Sequence, residues 1–179
     1  MIENMKKIHI GVVIAVIALL ASIFHLYTGS IGFFEPREQR SLHLFLLLPL
    51  IFLMKPGFLE KSARRESAKP GIVDYSLAIL VAIPALYSYL EAFRINMRLE
   101  DVTEVLPVEL WLGGIMIILI LEGIRRGVSV VMFGLVLIGF MYLFTTEYMP
   151  GIFHFRDIPT SEIIEAMYLS NGNGIFGTI

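Results

Sequence analysis

Cysteine is absent from this chain of 179 residues, and charged residues make up only 17% of it. The absence of cysteine excludes disulfide bonds, thiolate metal sites and a cysteine nucleophile. The low charge is equally informative, because an average soluble domain carries about 25% charged residues. The chain also lacks a basic patch of the kind that follows a phosphate backbone, so its composition gives no indication of nucleic-acid binding.

Apolar sequence is what the chain has in abundance: 56% of its residues are hydrophobic, and most of them fall into five runs separated by charged connectors. A helix needs about 20 mostly apolar residues to cross a hydrocarbon core of about 30 Å. Because backbone amides must bond internally in lipid, such runs cross as helices. We therefore predict an all-α, polytopic transmembrane protein with about five spans and short interfacial or amphipathic helices. The spans are predicted at 8–28, 42–59, 72–90, 109–124 and 128–146.

The fourth run is the shortest of the five. About 12 residues separate Glu109 from Glu122, which corresponds to ~18 Å of helix. A crossing by this segment requires that the two carboxylates lie near the interfaces, that the bilayer is thinner, or that other helices shield them. We expect this segment to pack against a partner protein.

Lysine and arginine are distributed unequally among the connectors, and this predicts an orientation. With the N-terminus in the cytoplasm, nine basic residues face inward and five face outward, as the positive-inside rule requires. The first run is longer than a usual signal core of about 7–15 residues, so we expect a retained helix. Five crossings place the C-terminal segment outside. The inward set is Lys6, Lys7, Lys55, Lys61, Arg64, Arg65, Lys69, Arg125 and Arg126, and the outward set is Arg37, Arg40, Arg94, Arg98 and Arg156.

The chain is expected to divide after residue 151, into a helical membrane domain (1–151) and an outer amphipathic segment (152–179). In the second part, Ser161 or Thr160 is expected to cap a short helix. The glycine-rich stretch that follows is typical of the entrance to a further membrane segment. The apolar side of the short helix consists of Ile163, Ile164, Met167 and Tyr168.

Ionisable residues at membrane depth are candidates for function, and Glu122 is the clearest of them. It precedes Arg125 and Arg126 by three and four positions, a spacing that brings these groups to one helix face. We interpret the three residues as an interfacial ion pair that fixes the depth of the helix. A role in proton or ion coupling is the alternative.

His25 and His43 are predicted to lie at the same depth in neighbouring helices. Zinc takes three or four protein ligands, so we expect interfacial hydrogen bonding, with metal binding as the alternative. Motifs of hydrolases, metalloproteases and nucleotide-binding proteins are missing from the sequence. We therefore predict no catalytic, metal, cofactor or substrate-binding residue and no enzymatic activity, and an intramembrane enzyme is the least favoured hypothesis.

Glycines in membrane helices permit close approach of neighbouring helices. Ordinary membrane-helix composition is the alternative explanation for each, because glycine is frequent in such helices. The candidates for helix packing are Gly113, Gly114, Gly134 and Gly139.

Five sequence stretches occur in an order that resembles a known family. They are RSLHLFLLLPLIFL from Arg40, VDYSLAIL from Val73, LEGIRR from Leu121, YMPGIFHF from Tyr148 and EAMYLSNGNGIFG from Glu165. In this order they resemble the N-terminal part of the fused permeases of tripartite ATP-independent periplasmic (TRAP) transporters, the class that works with TAXI-type binding proteins. The resemblance spans nearly the whole chain.

The resemblance implies a restricted role in ion-gradient-driven solute uptake. In such transporters the small membrane part is a scaffold, a large part carries the substrate and sodium sites and moves as an elevator, and a periplasmic binding protein delivers the solute. The implied partners are therefore a large permease domain or subunit, a periplasmic solute-binding protein and the lipid of a bacterial or archaeal cytoplasmic membrane. No site residue of the family transfers to this chain. The alternative function is a structural membrane subunit or assembly factor with no transport role.

Overall fold

The computed structural model describes residues 2–55, 57, 70–100 and 102–177, with side chains from residue 10 onward. These residues lie in helices, turns and connectors, and none of them forms a strand. The helix α7 continues as a π-helical turn at Glu165–Leu169, and two 3-10 turns, Thr146–Tyr148 and Gly151–Phe153, follow α6. The α-helices are α1 (Ile2–Ser30), α2 (Pro36–Met54), α3 (Ile72–Leu90), α4 (Ala92–Asn96), α5 (Pro107–Gly127), α6 (Val130–Leu143) and α7 (Thr160–Ile164).

Three of these helices are long and apolar enough to cross a membrane. They are the part of α1 from Ile10 to Ser30 with 21 residues, α3 with 19 residues and α5 with 21 residues. The prediction of an all-α membrane protein is thus confirmed in its coarser form, a helical chain with three candidate spans among the described residues. The arrangement with five spans stays a prediction.

The second predicted span, 42–59, differs from α2 at both ends. This helix begins at Pro36, so that Arg37, Glu38 and Arg40 lie in its first turns, and it ends at Met54. The uncharged remainder is about 14 residues, or ~21 Å. The helix ends because Lys55 is followed by a proline, and the residue before a proline disfavours helical geometry. Positions 56, 58 and 59 of the predicted span lie outside the described residues.

The fourth predicted span, 109–124, is shorter than the helix that contains it, so the helix is longer than the ~18 Å between the two carboxylates. The helix α5 runs from Pro107 to Gly127, because neither carboxylate interrupts it. Glu109 lies in the first turn and accepts the backbone N–H of Leu106 at 2.9 Å. Glu122 pairs with the guanidinium of Arg126 at 2.6 Å.

The fifth predicted span, 128–146, is too long. The helix α6 begins after Ser129, whose Oγ accepts the backbone N–H of Met132 at 3.0 Å as an N-terminal cap. It ends at Leu143, after 14 residues, which corresponds to ~21 Å.

The helices α1, α2 and α3 belong to a first compact unit, Met1–Leu90. Within it α2 packs against both α1 and α3, and Phe52 of α2 and Val81 of α3 are fully buried. Most large apolar side chains of α1 are exposed. At the start of α3, the carboxylate of Asp74 accepts the backbone N–H of Gly71 at 2.8 Å, which stabilises the helix N-terminus.

A second compact unit, Glu91–Ile179, contains α4 to α7. The C-terminal segment packs on α5, so it belongs to the same unit as α5 and α6. The structure divides the chain after Leu90, whereas the predicted boundary follows residue 151. Ser161 and Thr160 do not cap α7 as expected, since Pro159 occupies the N-cap position and no side chain caps the helix. The tyrosine of the expected apolar side, Tyr168, is fully buried.

Candidate functional site

The C-terminal segment is attached to the rest of the second unit through buried polar contacts, and this attachment is the most structured polar site in the described residues. Arg98 and Glu165 form an ion pair at 2.8 Å, and both side chains are largely withdrawn from solvent. The same guanidinium Nη2 donates to the carbonyl oxygen of Thr103 at 2.8 Å. Because a buried charge is costly unless it is paired, this contact restrains the segment strongly. The Nε of Arg98 is buried without a hydrogen-bond partner.

Glu100 forms a second attachment point two residues further along the chain. Its carboxylate accepts the backbone N–H of Asn171 at 2.8 Å and the hydroxyl of Ser170 at 2.9 Å. These two hydrogen bonds favour the charged form and hold the pKa of Glu100 below its ordinary value. The side-chain amide of Asn171 donates to the carbonyl oxygen of Asn96 at 3.1 Å. The turn 170–173 is thus tied to the connector between α4 and α5.

The carboxylate of Glu109 is a third polar anchor and is fully buried at the start of α5. One of its oxygens pairs with Arg94 at 2.6 Å, while the other accepts the N–H of Leu106. Arg94 also pairs with Glu91 at 2.6 Å. The sequence spacing indicates the pair of Arg94 with Glu91, but it does not indicate that Arg94 reaches Glu109.

Apolar packing supports the same attachment. A side chain at Gly113 would meet Ile164 Cγ2 at 2.6 Å and Tyr168 Cβ at 3.0 Å, so only glycine allows this close approach. The rings of Tyr168 and Phe176 meet edge to face with centroids 5.6 Å apart. Gly113 therefore packs against a segment of its own chain rather than against a partner protein.

Two cavities adjoin this segment and share Glu162 and Glu165 in their linings. Their volumes are about 360 Å³ and 390 Å³. The carboxylate of Glu165 is paired with Arg98 and that of Glu162 with Arg156. Among the described residues no group of three or more His, Asp or Glu side chains could hold a metal ion. The two carboxylates that line both cavities are thus each paired with an arginine.

The first unit contains a histidine pair. Nδ1 of His25 lies 2.6 Å from the carbonyl oxygen of Ala21, and Nε2 of His25 lies 2.6 Å from Nδ1 of His43. A carbonyl oxygen only accepts, so Nδ1 of His25 carries a hydrogen and donates to Ala21. The contact between the two rings links α1 to α2.

A second polar cluster of the first unit lies between α2 and α3. Arg37, Ser41 and Ser88 are buried. The Ser41 hydroxyl lies 3.0 Å from that of Ser88, and Arg37 donates to Ser88 at 3.4 Å. A membrane helix pair is held by interhelical hydrogen bonds of this kind. The sequence analysis assigns Arg37 to a charged connector, and nothing in the sequence indicates that its guanidinium is buried between α2 and α3.

The predicted interfacial group at the end of α5 is close together in the structure. Arg125 donates through Nε and Nη2 to the two oxygens of Glu122, both at 2.7 Å. Arg126 donates to Glu122 at 2.6 Å. Two guanidinium groups thus share one carboxylate.

The remaining predicted glycines differ from Gly113. A Cβ on Gly114 would make an ordinary contact, 3.8 Å from Ile164 Cδ1, and one on Gly134 or Gly139 would have no described atom within 4 Å. The last two glycines therefore lie on open surface of α6, and within the described residues they contact no neighbouring helix.

The residues of the C-terminal attachment, Arg98, Glu100 and Glu165, are not identified by sequence reasoning. Their partners are about 70 positions away, since Arg98 and Glu165 are separated by 67 residues and Glu100 and Ser170 by 70. Local patterns carry no information on pairs at that distance. The sequence offers one weak indication of these pairs, namely that acidic and basic residues occur both before α5 and after α6 in the chain.

The chain matches no protein-family model, no curated protein and no solved structure.

Proposed function

We propose that this chain is a membrane scaffold component of a TRAP-type secondary solute transporter in a bacterial or archaeal cytoplasmic membrane. In this proposal a large permease domain or subunit binds and moves the solute, an ion gradient drives the movement, and a periplasmic solute-binding protein delivers the solute. The observation that carries the proposal is the order of the five sequence stretches from Arg40 to Gly177. The orientation with a cytoplasmic N-terminus and the arrangement with five spans belong to the proposal.

Uncovered apolar helices support a role as a scaffold. The helix α6 has no buried residue, and in the span Ile10–Ser30 of α1 most residues are exposed and only Ala21 is buried. Surfaces of this size need lipid or another protein to cover them. Gly134 and Gly139 leave room for close approach of a neighbouring helix on α6.

The distribution of polar groups supports a static role. The ion pairs of the second unit lie at the ends of α5 and in the connectors rather than at the middle of α5. Residues that conduct ions or solutes through membranes are expected at mid-membrane depth in the interior of a helix bundle. The two cavities beside the C-terminal segment are lined mainly by connectors and by that segment.

Reconstitution tests the proposal. We expect this chain alone in liposomes with an inward sodium gradient to take up no solute, and we expect uptake once the large permease and binding protein encoded beside it are added. Uptake by this chain alone would contradict a scaffold role. Equal uptake by the permease and binding protein without this chain would also contradict it and would favour a structural subunit or assembly factor.

A further inference from the structure

The connector between α6 and α7 exposes large apolar side chains. Tyr148 is 81% exposed, Ile152 93%, Phe153 59% and Phe155 55%. Exposed apolar residues scattered singly need no explanation, whereas a contiguous group indicates a surface that something covers. We call the connector 147–155 the apolar loop.

The backbone of the apolar loop is held in place. Within it, the N–H of Phe155 donates to the carbonyl oxygen of Thr146 at 3.2 Å, and that of His154 donates to Gly151 at 3.2 Å. Gly151 has a φ of 64°, which glycine adopts without steric cost. The hydroxyl of Tyr142 in α6 donates to the carbonyl oxygen of Phe153 at 2.8 Å. The hydrogen bonds thus restrain the backbone of the loop while its apolar side chains are exposed.

The lengths of the two neighbouring helices define the level of the apolar loop. The helices α5 and α6 contact each other and are joined by two residues. Leu143 at the end of α6 shares a cavity with Ile163 of the segment that packs on α5 near Gly113, so α6 returns toward the start of α5. With 21 and 14 residues, the helices are ~31 Å and ~21 Å long. The apolar loop therefore lies beside the first ~10 Å of α5.

This level and the composition of the loop favour one occupant. The start of α5, a candidate span, would lie at the boundary between the hydrocarbon and the headgroups. Irregular backbone near a membrane requires internal hydrogen bonds, and the loop has them. Aromatic side chains are enriched at this boundary, and the charged residues Glu147 and Asp157 flank the apolar group.

We propose that the apolar loop is a membrane anchor that inserts Tyr148, Ile152, Phe153 and Phe155 into the interfacial region of the lipid bilayer. The lipid acyl chains next to the headgroups cover these side chains, as they cover the apolar face of an interfacial helix. The proposal rests on the chain being a membrane protein, and it is independent of any role in solute transport.

Tryptophan fluorescence in vesicles tests the anchor. The chain has one tryptophan, so Trp111→Phe gives a background in which Ile152→Trp and Phe153→Trp are introduced separately. Each full-length variant is reconstituted into phosphatidylcholine and phosphatidylglycerol vesicles with bromine atoms either near the headgroup end or near the terminus of the acyl chains. Ile118→Trp, on the exposed side of α5 near its middle, is the control deep in the bilayer, and Asp157→Trp is the polar control in the same connector.

We expect Ile152→Trp and Phe153→Trp to lose more fluorescence to the shallow bromines than to the deep ones and to be shielded from aqueous iodide. Ile118→Trp should respond more to the deep bromines, and Asp157→Trp should respond to iodide. Iodide quenching of both loop variants without bromine quenching would overturn the proposal, because the loop would then lie in water. Shielding from both quenchers would also overturn it, because a protein surface would then cover the loop.

Discussion

Two glutamates of the C-terminal segment differ in what their charge does, although only two residues separate them. Glu165 pairs with Arg98 where both side chains are largely buried. Glu162 pairs with Arg156 where both are well exposed. Removing one partner of a buried pair leaves an uncompensated charge, whereas an exposed pair contributes little. The two carboxylates therefore form a natural comparison.

We predict that Glu165→Gln lowers the free energy of unfolding by about 3–5 kcal/mol, because it leaves the guanidinium of Arg98 buried and unpaired. The matched control Glu162→Gln should cost less than about 1 kcal/mol. Urea unfolding of the detergent-solubilised protein, followed by circular dichroism, measures both values. Equal losses in the two variants would show that Arg98 and Glu165 are not the main polar restraint on the segment.

The neighbouring glycines of α5 offer a second comparison of single residues. We predict that Gly113→Ala destabilises the chain by about 1–3 kcal/mol, because the added methyl overpacks against Ile164 and Tyr168. Gly114→Ala has room for its methyl and should be neutral or stabilise the helix by up to about 1 kcal/mol. The midpoint of thermal unfolding orders the two variants. A higher unfolding midpoint for Gly113→Ala than for Gly114→Ala would show that α5 and the C-terminal segment are not in close contact.

At the scale of elements, α7 and the turn after it are short and depend on tertiary contacts. An isolated helix of fewer than about 12 residues is marginal in water, and α7 contains five residues before its π-helical continuation. The contacts of Glu165 with Arg98 and of Ser170 and Asn171 with Glu100 supply what local propensity lacks. The stability of this element is therefore sensitive to the charge of Glu100.

We predict that the turn 170–173 loosens at acid pH. The pKa of Glu100 is lowered in the folded chain by the hydrogen bonds from Asn171 and Ser170. The stabilisation that ionised Glu100 gives to the turn is thus fully present above the ordinary glutamate pKa of about 4.3. It is lost as the pH falls through the lowered pKa of the folded state. Hydrogen exchange of peptides covering 168–173, corrected for the intrinsic rate, measures the effect.

In the variant Glu100→Gln, peptides covering 168–173 should exchange faster than in the unaltered chain even at neutral pH, because the variant lacks the charged acceptor. Glu104→Gln is the control, since Glu104 is an exposed residue of the same connector. Exchange that is equally slow in both variants and in the unaltered chain would contradict the role of Glu100.

At the scale of the whole molecule, the lack of cysteine allows the crossing of the candidate spans to be measured directly. Single cysteines at Lys55, Glu104 and Gly127 bracket α3 and α5 along the chain. We predict that Lys55→Cys and Gly127→Cys react only with a reagent on the cytoplasmic side and Glu104→Cys only with one on the outer side. Labelling of Lys55→Cys and Glu104→Cys from the same side would show that α3 does not cross.

The extent to which the sequence predicts this structure differs between elements. The span 72–90 coincides with α3, because an apolar run of the right length, charged only at Asp74 in its first turn, crosses lipid as a helix. The second and fifth spans end elsewhere, because Lys55 precedes a proline and Ser129 caps α6. The length of α5 is missed because a carboxylate at its start, Glu109, is read as the end of an apolar run.

Hydropathy and run length were enough to predict a helical chain with candidate membrane spans, because the requirement to satisfy backbone amides in lipid acts on each segment separately. Which charges are paired, and therefore how far α5 extends and where the C-terminal segment packs, was decided only by the tertiary structure. Arg98 and Glu165 meet across 67 residues, and the cost of burying each charge depends on a partner that only the folded chain brings within reach.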